Sequence, residues 1–110
     1  MITMYKVFYI EKEKFLRSFM ELSAKKLGFK AFTCENDQDY LYQFDDLKCP
    51  VLIIDKDSCN ISKVLEEAKK RDFVKSIYIT GENADIEQES AVSLPKPIEA
   101  QKILEILKQL

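Results

Sequence analysis

The chain contains no histidine. That removes imidazole as general base, as activator of a nucleophile and as metal ligand, and with it most hydrolase templates. Glycine occurs only at Gly28 and Gly81, which excludes a Gly-rich loop that wraps phosphates through its backbone. The three cysteines, Cys34, Cys49 and Cys59, form no CxxC pair. An odd count without zinc or redox spacing reads as reduced, buried or half-buried thiols in a reducing, cytoplasmic compartment. No run of about 18 apolar residues occurs, so no membrane contact is expected. The N-terminal MITMYKVFYI also lacks the basic region, long apolar region and small-residue cleavage site of a secretion signal. Neither sign of charge dominates. Lys and Arg number 17 against 19 Asp and Glu, for a net charge of −2. The basic residues are spread along the chain, and no direct nucleic-acid contact is expected.

What remains is the composition of an ordinary globular protein, 46% apolar and 33% charged. The 110 residues suit one domain, 1–110, able to bury roughly two thirds of the unfolded surface around one core. Short apolar runs alternate with amphipathic stretches. Lys6–Ile10 (KVFYI) is β-branched and aromatic without a helical period, which predicts a strand. Phe15, Phe19, Leu22 and Leu27 recur at the spacing of one helix face, and Gly28 follows as a C-terminal cap. Phe29–Cys34 alternates as a second strand. Asn36 is placed to cap the next helix, with Asp37 and Asp39 in its first turn and Tyr40, Leu41, Phe44 and Leu47 as its buried stripe.

Pro50 then opens Val51–Ile54 (VLII), the most apolar run, as a central strand covered on both faces. A helix is predicted around Ile61–Arg71, with Ile61, Val64, Leu65 and Ala68 on one side, and a strand over Ser76–Ile79. Gly81–Ser90 is polar, with room for one or two helical turns. Ala91–Leu94 reads as the last strand. Pro97 falls at the first position of a final helix that runs to Leu110, with Ile103, Leu107 and Leu110 inward. Strict alternation of this kind predicts an α/β fold, a parallel sheet with helices on both faces and right-handed crossovers. No internal repeat, low-complexity tract or linker interrupts it.

In such a sheet, function collects beyond the carboxyl ends of the strands. The residues there are Glu11 and Lys12 after the first strand, Asp55, Lys56 and Asp57 after the third, Thr80 and Gly81 after the fourth, and Lys96 and Pro97 after the fifth. Singly, each has an ordinary reading as turn, helix-start or solvated surface chemistry. An acid, a hydroxyl and a lysine ending three separate strands in this order is more specific.

That combination resembles the receiver domain of bacterial two-component response regulators, over nearly the whole chain. It rests on KVFYIEKEKF for the first strand and loop, VLIIDKD for the phosphoacceptor strand, YITG for the switch strand and LPKPIEA for the lysine segment. The resemblance implies a CheY-like, flavodoxin-like five-stranded parallel sheet of order 2-1-3-4-5. It implies Asp55 as phosphoacceptor, Thr80 as switch hydroxyl, Lys96 as the cation contacting the phosphoryl group, and a cis Lys96–Pro97 bond. A carboxylate attacks a phosphoryl donor to form an aspartyl phosphate, with charge neutralised by Mg²⁺ and lysine. The module is then not an enzyme but a phosphorelay component. Its partner is a histidine kinase, a phosphotransfer protein or another signalling protein, and the outer face of the last helix leaves room for a weak homodimer.

The chain departs from that pattern in its acid pocket. The family places two acids after the first strand, whereas here the pair is Glu11 and Lys12. The carboxylates Glu11 and Asp55 are balanced by the ammonium groups Lys12 and Lys96, so Lys12 is expected to stand in for the metal. Glu11, Asp55 and Asp57 then make a weak metal set at best, and Mg²⁺ is expected to bind weakly or not at all. Lys12 turned to solvent, or an oxygen from Asp57 or Glu13, would restore the site. The stretch between Thr80 and Lys96 is also short, predicting a shortened fourth helix, and Ser93 stands where the family puts its switch aromatic. Three functions stay open. One is a pseudo-receiver regulated by partner binding. The second is a conventional receiver phosphorylated at Asp55, and the third a flavodoxin-like domain binding a small ligand.

Overall fold

The computed structural model describes residues 5–38, 40–81 and 91–110. Five strands form one sheet: β1 (Lys6–Ile10), β2 (Lys30–Cys34), β3 (Val51–Asp55), β4 (Ser76–Thr80) and β5 (Ala91–Leu94). All pairings are parallel, in the order β2-β1-β3-β4-β5. The described helices are α1 (Lys14–Leu27), α2 (Tyr40–Leu47), α3 (Ile61–Lys69) and α4 (Ala100–Lys108). The expected short helix at Gly81–Ser90 falls outside the described residues beyond Gly81, as does Asp39.

Side chains alternate across a strand, and that alternation divides the core. Val7, Tyr9, Val51 and Ile53 pack with Met20 and Ala24 of α1 and with Ile103, Leu104 and Leu107 of α4. Phe8, Ile10, Leu52 and Ile54 pack on the other face with Tyr40 and Phe44 of α2 and Val64, Leu65 and Ala68 of α3. β3 is buried at every position, as its unbroken apolar run requires of a strand covered on both sides. Each of its Leu and Ile side chains contributes roughly 1.5–3 kcal/mol by leaving water.

Four expectations are corrected. Phe15, Phe19 and Leu22 do not face the sheet; they are 75%, 54% and 63% exposed, and Leu27 is 36% exposed. α1 instead buries the neighbouring stripe through Met20 and Ala24. Arg17 anchors that orientation by donating from Nη1 to the Glu11 carbonyl at 2.7 Å and the Lys12 carbonyl at 2.9 Å. Gly28 ends the helix at φ 89°, a left-handed conformation that favours glycine. Pro97 is not the first residue of α4, which starts three residues later behind Glu99, and Leu110 points to solvent at 55% exposure. Asn36 does not cap α2 directly: its Oδ1 accepts the Gln38 N–H at 2.9 Å, closing a local turn.

Candidate functional site

The period of two that sorts the core also collects the polar residues. Glu11 continues the register of Val7 and Tyr9, Asp55 that of Val51 and Ile53, and Thr80 that of Tyr78, so all three lie toward the α1/α4 face. Asp55 and Thr80 are direct cross-strand neighbours. Lys96, two residues beyond β5, reaches back to this edge. Its Nζ donates to Glu11 Oε1 and to Asp55 Oδ1, each at 2.8 Å. The Lys96–Pro97 peptide is cis.

Glu11 is fully buried and Asp55 is 2% exposed. Buried carboxylates of this kind persist only when paired and hydrogen-bonded, and both are. Glu11 Oε1 also accepts the Tyr9 hydroxyl at 2.7 Å, and its Oε2 accepts the Glu13 N–H at 3.2 Å. Asp55 Oδ2 accepts the Ser58 hydroxyl at 2.6 Å, while Ser58 Oγ accepts the Lys12 N–H at 2.7 Å. Burial opposes the charge of Lys96, but the hydrogen bonds and negative charges of Asp55 and Glu11 outweigh it and raise its pKa. Burial, the hydrogen bond to Glu11 and the nearby carboxylates all hold Tyr9 protonated well above the usual tyrosine range.

The site therefore assembles Glu11, Asp55, Thr80 and Lys96 and leaves out Lys12 and Asp57. The expectation that the Lys12 ammonium neutralises the pocket is corrected: its side chain is exposed and makes no ion pair among the described residues. The loop turns that side chain outward and contributes only the backbone N–H. A single cation, Lys96, bridges the two carboxylates instead. Asp57 and Glu13 are exposed. Among the described residues, no group of three or more Asp, Glu, Cys or His side chains converges as a metal-holding set.

A cleft of about 470 Å³ adjoins this edge, lined by Glu13, Phe15, Leu16, Lys56, Asp57 and Gly81 together with Asp55 and Lys96. Gly81 adopts φ 133°, and a Cβ there would sit 2.8 Å from Lys56 Cγ, so the lysine stem lies directly over the glycine. Thr80 is fully buried, and its hydroxyl has no hydrogen-bond partner among the described residues. Tyr9 and Ser58 join the site in addition to the strand-end residues expected from the sequence. Tyr9 was legible as an aromatic hydroxyl two residues before Glu11 on the same strand face. Ser58 was legible only as a turn residue three positions after an aspartate.

This architecture, a five-stranded parallel sheet of order 2-1-3-4-5 with acid, hydroxyl and lysine at its carboxyl edge, is the fold of response-regulator receiver domains. Solved structures of such domains match almost end to end. The chemotaxis response regulator CheY4 of Vibrio cholerae superposes with a TM-score of 0.78 at 16% identity, covering 97% of this chain and 98% of that one. The receiver domain of the hybrid histidine kinase CckA gives 0.72 at 18% identity, covering 94% and 96%. The pseudo-receiver domain of the CikA protein gives 0.73 at 19% identity, covering 97% and 96%. No protein-family model matches the chain, and no curated protein matches it significantly.

Proposed function

We propose that the chain is a receiver-type signal-transduction module of the pseudo-receiver kind. It works in the cytoplasm and is controlled by partner binding rather than by Mg²⁺-dependent phosphorylation of Asp55. The observation that carries this reading is the occupancy of Asp55: Lys96 holds one carboxylate oxygen and Ser58 the other. Mg²⁺ demands near-octahedral oxygen ligation and gives up its waters reluctantly. Here it would meet two buried carboxylates whose oxygens already accept protein donors, and an exposed Lys12 that supplies no second acid oxygen. These residues do not fit the ion.

Partner control is supported by the exposed stripe on α1, where Phe15 and Phe19 stack with ring centroids 6.3 Å apart beside Leu22. Apolar side chains exposed at successive turns of one helix form a surface that an interacting helix covers. Phe15 also lines the Asp55 cleft, which would place such a partner against the acid site. The partner class is a signalling protein such as a histidine kinase or phosphotransfer protein. No catalytic turnover is assigned to the chain.

Amide NMR spectra recorded during titration with Mg²⁺ and beryllofluoride test the reading. Resonances of Asp55, Thr80 and Lys96 are expected to stay in place at millimolar Mg²⁺, with Lys12→Asp gaining a response. Saturating shifts in the unmodified chain would instead establish a conventional receiver phosphorylated at Asp55. The alignment of Asp55, Thr80 and Lys96 is the observation that favours that second reading.

A further inference from the structure

Ser58 lies in the turn after β3, 8% exposed. Its own N–H donates to the Asp55 carbonyl at 3.1 Å, so the main chain sets its place. Its hydroxyl oxygen receives the Lys12 N–H at 2.7 Å, and its one proton goes to Asp55 Oδ2 at 2.6 Å. An O–H···O⁻ bond of that length is charge-assisted and roughly twice as strong as a neutral one. The loop after β1 and the loop after β3 are thus joined through a single hydroxyl, beside the carboxylate that ends the central strand.

We propose that Ser58 is the residue that closes the acid site: its hydroxyl occupies Asp55 Oδ2 and bars that oxygen from electrophiles. The proposal rests on the pseudo-receiver reading and assigns a cause to it. For Oδ2 to attack the phosphorus of an acyl phosphate, it must give an electron pair to the new O–P bond. The P–O bond to the acyl group breaks at the same time, and the carboxylate leaves with that pair. The Ser58 proton draws on the same electron density. Surrendering it would strand a buried hydroxyl whose acceptor side is already committed to Lys12.

The experiment incubates the unmodified chain, Ser58→Ala, Ser58→Gly and Ser58→Thr with acetyl phosphate and magnesium chloride. Phosphoryl adduct is followed by intact mass, with Asp55→Asn as blank. Ser58→Ala and Ser58→Gly are expected to form adduct about tenfold faster than the unmodified chain or more, the factor carried by one charge-assisted hydrogen bond. Ser58→Thr, which restores the hydroxyl, is expected to stay slow. Glycine suits the last position of a turn, so Ser58→Gly keeps the test open if alanine disturbs the fold. If both hydroxyl-free variants are as slow as the unmodified chain, or if Ser58→Thr is as fast as Ser58→Ala, Ser58 is not the barrier. If the unmodified chain itself labels completely within minutes, the pseudo-receiver reading fails first, and the closing role fails with it.

Discussion

Lys96 and Glu11, 85 positions apart in the chain, meet at 2.8 Å with the Glu11 side chain fully withdrawn from water. That contact, with its twin to Asp55, holds two buried carboxylates at one strand edge. Lys96→Met should therefore destabilise more than the loss of one contact suggests, because it leaves two buried anions without a cation. Breaking a buried pair costs about 3–5 kcal/mol; with the Lys96 side chain 30% exposed, we expect about 2 kcal/mol. Urea unfolding at neutral pH measures it. Adding Glu11→Gln to Lys96→Met should recover part of the loss, and a double-mutant cycle showing strict additivity would refute the coupling.

Alkaline pH should destabilise the protein in stages. Burial pushes the Cys49 thiol from its ordinary 9.0 up to about 11, against the opposing charge of Lys6. The folded state therefore keeps a proton that the unfolded chain releases. Its contribution is whole below pH 9 and lost as pH rises toward 11, at about 1.4 kcal/mol per pH unit. Lys96, likewise raised, adds a loss above its ordinary 10.5. Burial pushes Cys34 and Cys59 up to about 12, so they share this loss; urea midpoints at pH 8, 10 and 11 should fall progressively, and Cys49→Ala should make the first part of the decline shallower without abolishing it.

The two apolar stripes of α1 should separate cleanly in stability measurements. Phe15→Ala, Phe19→Ala and Leu22→Ala remove side chains that already face water, and each should cost under about 0.5 kcal/mol. Met20→Ala empties a site 3% exposed and should cost about 2–5 kcal/mol. Equal losses in both sets by thermal unfolding would contradict the placement of the helix.

Thr80→Val should leave stability unchanged or raise it by about 1 kcal/mol. The hydroxyl is buried without a partner among the described residues, and valine fills the same volume without desolvating a polar group. A rise in the urea midpoint supports this. A fall of similar size would mean that the hydroxyl has a partner.

The order of elements was legible because its signals are local. VLII has no polar break, KVFYI has no helical period, and Gly28 ends α1 in the left-handed conformation. The orientation of α1 was not. Phe15, Phe19 and Leu22 form one helical stripe, and Leu16, Met20 and Ala24 form another beside it. Periodicity says only that a helix forms. Which stripe packs depends on Arg17 gripping the Glu11 and Lys12 carbonyls and on small Ala24 fitting against the sheet.

Asp55, Thr80 and Lys96 follow from the sequence alone, since each ends an apolar run and a parallel sheet brings such ends to one edge. Only the tertiary structure decided how that edge is neutralised. Lys12 stands next to Glu11 in sequence, yet successive side chains diverge, and it turns to water. Lys96 arrives from a distant loop to take the cation's place, and Ser58 closes the remaining oxygen of Asp55. Adjacency in the chain is settled by covalent bonds; adjacency of charges is settled by which side chains burial forces to share a proton or a counter-ion.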